Sequence, residues 1–287
     1  MSVAQLSGGR VSAAAIRAAR REPLVIAAYV VLAVVVLLAV AGPWLAPYDP
    51  DELYTGPVMG AASLAHPLGT DDLGRDILSR LLVAARASLV APIFVVLIST
   101  VLGAAIAILC AWFGGIIDAV FSRIIEVIFA IPGLVLAVLA VAMFGKGLLA
   151  PVLALSIAYI PIIARLVRTN ARTELAKPYI AALRVQGVGP FATCFRHLVP
   201  ALLPALLAQA TVGFGYAMLD LAAISYLGLG VQPPAADWGV MIAAGQPSIL
   251  AGAPEQSLFP ALMIVITVVA VNIAGARVTA WAEGRDR

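Results

Sequence analysis

Residues able to do chemistry are few in this sequence, and their spacing excludes most chemistries. There are two histidines, His66 and His197, and two cysteines, Cys110 and Cys194. The cysteines lie in or beside apolar stretches at no disulfide or metal spacing, so both read as buried structural thiols. Gly145-Lys146 is followed by Gly147 instead of completing a G-x-x-x-x-G-K-[ST] loop, so ATP cannot be cradled that way. No H-E-x-x-H, paired-carboxylate or Ser/His/Asp set is present. The reading is a non-enzyme with no catalytic residue and no metal site. What remains are acids in apolar surroundings, and a carboxylate in hydrocarbon has to face a partner or an aqueous cavity. Asp220 is the only charge between residues 197 and 236. It reads either as a structural hydrogen-bond acceptor or as a lining of a pathway. Glu126 follows Arg123 by three residues, which predicts an intrahelical ion pair, and Asp118 reads as interfacial and uninformative.

A second set of residues could dock a partner. Lys177–Pro200, KPYIAALRVQGVGPFATCFRHLVP, is a polar, cationic island between long apolar stretches. Pro178 can open a helix because its missing N–H falls where no intrahelical acceptor exists, and Gly187 can close it in the left-handed conformation. That predicts a helix of about nine residues, roughly 13 Å long. Tyr179, Ala182, Leu183 and Gln186 fall on one narrow face of small and apolar groups, with Arg184 projecting elsewhere. Two readings stay open here: a docking element, or a helical turn lying on the membrane surface.

The elements that must position these residues are membrane spans. Of 287 residues, 63% are hydrophobic and only 11% charged, against about 25% charged in soluble domains, which makes this an all-α integral membrane protein. Residues 1–22 form a basic segment with Arg10, Arg17, Arg20 and Arg21 on one helical face, suited to an anionic membrane surface. A first span follows within 23–46, then a polar, Pro/Gly-rich extracytoplasmic loop over 47–86. The core, 87–280, holds five more spans. The second covers Ala87–Ile117, the third about Ala119–Gly145, and the fourth Gly147–Ala164. The fifth is one kinked helix around Pro200 and Pro204 plus a re-entrant or surface segment, and the last covers Gln256–Ala276. The loop at 174–200 lies between the fourth and fifth spans, and residues 281–287 form a tail.

Six spans leave both termini on one side. Fourteen of the eighteen Lys and Arg residues then share that side with the 174–200 loop. The bias makes it cytoplasmic, and the net charge of +3 speaks of orientation instead of nucleic-acid binding.

With the elements placed, three blocks resemble the permease subunits of binding-protein-dependent ABC importers, in the peptide/nickel branch and its C-type dipeptide and oligopeptide permeases. The run from His66-Pro67-Leu68-Gly69-Thr70-Asp71-Asp72 to Leu81 is similar to that branch's signature ahead of span two. Ser225-Tyr226-Leu227-Gly228-Leu229-Gly230 through Pro234, with Trp238-Gly239, is similar to its fifth-span exit. The 177–200 island resembles the EAA loop, which that family inserts into a cleft of the ATPase, with Gly187 and Leu198-Val199-Pro200 at matching places. One departure stands out: Ala181-Ala182-Leu183 replaces Glu-Ala-Ala.

The resemblance implies a type I permease architecture, six transmembrane helices with a cytoplasmic coupling helix, coupled through Tyr179, Ala181, Ala182, Leu183, Arg184 and Gly187. It implies a homologous second permease as a heterodimer partner, two ATPase subunits holding ATP and Mg so that this chain needs no cofactor, and an external binding protein. Its implied activity is import of di- or oligopeptides across a bacterial inner membrane, with no nucleic acid involved. Nickel import is the alternative within the family. A secondary transporter working alone is the alternative outside it, although neither an internal repeat nor paired broken helices is visible.

Overall fold

A computed structural model describes residues 13–282 and residue 284, with side chains from residue 23 onward. The basic face expected over residues 1–22 lies outside the described side chains, and most of the 281–287 tail lies outside the described residues; residues 13–22 continue the first helix. No strand occurs among the described residues.

The apolar runs become α1 (Ala13–Leu45), α2 (Ile77–Phe113), α5 (Leu149–Leu175), α8 (Val199–Tyr226) and α11 (Glu255–Ala282), each long and apolar enough to cross a membrane. At 37 residues α2 spans about 55 Å, well beyond a hydrocarbon core of roughly 30 Å. Its surplus reaches into the polar loop, where the Asp76 side chain accepts from the Ser79 amide and caps the helix. α2 is the hub: it packs most extensively on α5 and also touches α1 and α8. Close approach depends on small residues, as expected where lipid supplies no hydrophobic drive between helices. A Cβ on Gly42 would sit 2.4 Å from the Leu82 carbonyl oxygen, and one on Gly275 would sit 2.0 Å from Thr211 Cγ2.

The expected third span is broken. It consists of α3 (Gly115–Phe129) and α4 (Gly133–Phe144), joined through Ala130–Pro132 with a bend of 81°. Pro132 has no N–H to continue the ladder and disfavours helical backbone at Ile131, so the chain turns there. The fourth span is longer than expected because the charged stretch from Arg165 to Glu174 stays helical in α5. α6 (Pro178–Val185) and α7 (Pro190–Thr193) follow, then a π-helical turn over Cys194–Leu198 that leads into α8. The surface segment expected near the end of the fifth span comes later, as α9 (Trp238–Ala244) and α10 (Gln246–Leu250). α9 packs on α8, α2 and α11.

Candidate functional site

α6 has eight residues, close to the sequence expectation. Pro178 occupies its first turn, and Gly187 ends it at φ +76°. The Val188 amide donates to the Leu183 carbonyl (3.0 Å) and the Gly187 amide to that of Arg184 (3.1 Å), the paired bonds of a Schellman cap. Ile180, absent from the predicted docking face, is the anchor: it is 1% exposed, whereas Ala181, Ala182 and Arg184 are exposed and Leu183 is half-buried.

Polar contacts hold the helix at both ends. Glu174 at the end of α5 accepts from the Tyr179 hydroxyl (2.7 Å) and pairs with Lys177 (2.6 Å). Burial, with the Glu174 bond, pushes the Tyr179 phenol up to about 12, so it stays a donor at physiological pH. At the other end the Arg184 guanidinium lies 5.7 Å from the Trp112 ring centroid at the end of α2. Arg184 therefore serves packing, while Val185, Phe191 and Phe195 carry exposed apolar surface beside it. Sequence periodicity missed those three, because Val185 lies off the narrow face read for α6 and Phe191 and Phe195 follow it in later elements.

Below this surface α3 and α5 are clamped. Asp118 accepts from both Arg168 and Arg172, the latter at 2.6 Å, and Arg165 stands 4.7 Å over the Phe129 ring. The reading of Asp118 as uninformative is thereby corrected. The Arg123–Glu126 pair forms as expected, at 3.0 Å and exposed.

At the opposite end the His66–Leu81 block folds into a buried polar clasp. Asp71 takes the Leu73 and Arg75 amides at 2.9 Å and the Arg75 side chain at 2.7 Å. His66 Nδ1 lies 3.0 Å from Asp76, and Arg80 donates to the Pro50 carbonyl at 2.8 Å. Gln256 of α11 exchanges two bonds with Asp72, so the clasp is tied across the bundle. The second block also explains itself: Ser225 donates to Asp237, and the fully buried Trp238 donates through Nε1 to Leu81 and through its amide to Ser88. Beside the clasp a cavity of about 680 Å³ opens along α2 and α5, lined among others by Asp51, Arg80, Arg86 and Phe94. Asp220 lies elsewhere, on α8 within the bundle, where it accepts from the Tyr159 hydroxyl of α5 at 2.8 Å.

The model for the binding-protein-dependent transport system inner membrane component matches residues 99–285, well over half of the chain. The chain belongs to that family. A second model, the N-terminal TM domain of oligopeptide transport permease C, matches residues 13–65 of the permease. The glutathione transport system permease protein GsiD of Pectobacterium atrosepticum is 36% identical to the permease, over 89% of this chain and 85% of that one. The di/tripeptide transport system permease protein DppC of Pseudomonas aeruginosa is 38% identical, over 84% and 81%. Among solved structures the permease shares its fold with a chain of the MetNI methionine ABC transporter, at TM-score 0.55 and 22% identity over 72% of this chain and 96% of that one. The permease is thus a multi-pass inner membrane protein of an ABC importer, a class that works with ATPase and binding-protein partners.

Proposed function

We propose that this permease imports di- or oligopeptides delivered by an external binding protein, as one half of a heterodimer whose other half is a homologous permease. Two ATPase subunits dock against α6 and hold ATP and Mg, leaving this chain without a cofactor of its own. The observation that carries the docking reading is the construction of α6: a short helix bounded by Pro178 and Gly187, pinned by Ile180 and by the Glu174 and Trp112 contacts, with Ala181 and Ala182 turned outward. A rigid element of this kind passes a push from a partner into α5 and α8, the helices on either side of it in the chain, and so favours alternation between two packings of the bundle. The basic bias of its side supports a cytoplasmic position for α6 and for both termini.

Peptide import is favoured over nickel import by the similarity to permeases named for glutathione and for di- and tripeptides. The test is gentle purification of the chain from its native membrane, followed by uptake assays on the reconstituted complex. Two P-loop ATPases and a second permease are expected to come with it, and the complex should accumulate alanyl-alanine in an ATP-dependent manner. A chain that purifies alone and transports by itself would overturn the reading in favour of a secondary transporter.

A further inference from the structure

On one side of the bundle, α2, α5 and α8 border a partly open cavity of about 250 Å³ to which Ser99, Thr100, Tyr159, Gln209, Tyr216 and Asp220 contribute polar groups. One water needs only ~15 Å³ by the same measure, so the space takes a group larger than a lone ion. No Lys, Arg or His is among its described lining residues. The Asp220 carboxylate receives one hydrogen bond, from the Tyr159 hydroxyl to Oδ2. Oδ1 accepts none. The Thr100 hydroxyl is buried without a hydrogen-bond partner, whereas Ser99 is satisfied by the Val96 carbonyl. A half-buried carboxylate with a free oxygen, in a cavity otherwise walled by apolar helices, is stabilised when a cation joins it.

We propose that Asp220 and Tyr159 form an intramembrane receiving site for a primary ammonium group and, resting on the peptide reading above, that the group is the free amino terminus of the transported peptide. The ammonium has three donors. Asp220 Oδ1 can accept one, and the other two are left facing the cavity. The Tyr159 hydroxyl fixes the carboxylate orientation beforehand.

The experiment uses the complete importer in proteoliposomes with its binding protein. Uptake of alanyl-alanine is compared for wild type, Asp220→Asn and Tyr159→Phe, alongside mass-spectrometric detection of dicyclohexylcarbodiimide modification at residue 220. Losing a charge-assisted bond should reduce uptake by Asp220→Asn about tenfold or more, with Tyr159→Phe milder because the carboxylate remains. Alanyl-alanine should protect Asp220 from the carbodiimide in the wild-type complex, and N-acetyl-alanyl-alanine should not. Protection by both peptides or by neither overturns the site, as does protection by sodium chloride alone, which would mark an inorganic cation. Because labelling needs only the folded wild-type complex, misfolding of Asp220→Asn leaves the site testable. If the complex moves no peptide at all, the functional reading fails, while protection by methylammonium chloride still decides whether Asp220 receives an ammonium group.

Discussion

Gly187 and Trp238 show how differently single residues can matter. Nothing lies within 4 Å of the position a Cβ would take on Gly187, so space does not require glycine there; the backbone does, at φ +76°. A β-branched residue in that conformation costs roughly 1–2 kcal/mol. Gly187→Val is therefore expected to leave the chain folded and inserted while shifting the end of α6, lowering transport-coupled ATP hydrolysis; unchanged coupling would show that the cap is dispensable. Trp238 is the reverse case, fully buried and bonded to two turns of α2. Trp238→Ala should cost about 3–5 kcal/mol, read as a large drop in the thermal denaturation midpoint of the detergent-solubilised protein.

Among the elements, α6 is distinguished by how little of its outward face takes part in the chain's own packing. Ala182 is exposed, so Ala182→Arg should hardly alter the stability of the isolated chain yet obstruct a partner's groove. The expected result is loss of ATPase co-purification at an unchanged melting temperature; retained assembly and coupled hydrolysis would remove α6 from the docking role. On the proposed docking role, with Ala181 where the family's loop carries glutamate, the exposed Val185, Phe191 and Phe195 offer apolar contact in place of charge. The Asp118 clamp joins α3 to the polar extension of α5 just before α6.

At the scale of the whole molecule, the two ends are built for different work. One end is a polar clasp locked to α11 through Asp72 and Gln256. The other carries most of the positive charge and the exposed apolar surface of 185–195. On the proposed orientation, with both termini cytoplasmic, a protease added to the outer face of intact spheroplasts should spare the amino-terminal segment and cut, if anywhere, in the 47–65 loop. Cleavage within residues 1–22 under those conditions would contradict the orientation.

Composition and run length determined the class and the position of α6, because a bilayer demands long apolar helices and Pro178 and Gly187 mark helix ends by local backbone chemistry. Charge counting supports the proposed orientation from sequence alone, because it depends on sums, not on packing. Tertiary structure alone decided where side chains meet. The 81° break at Pro132, the role of Ile180 as the anchor of α6, the Asp118 clamp and the Tyr159–Asp220 bond all join residues distant in sequence or depend on how neighbouring helices seat. In such apolar helices almost every face is hydrophobic, so periodicity cannot say which one turns inward.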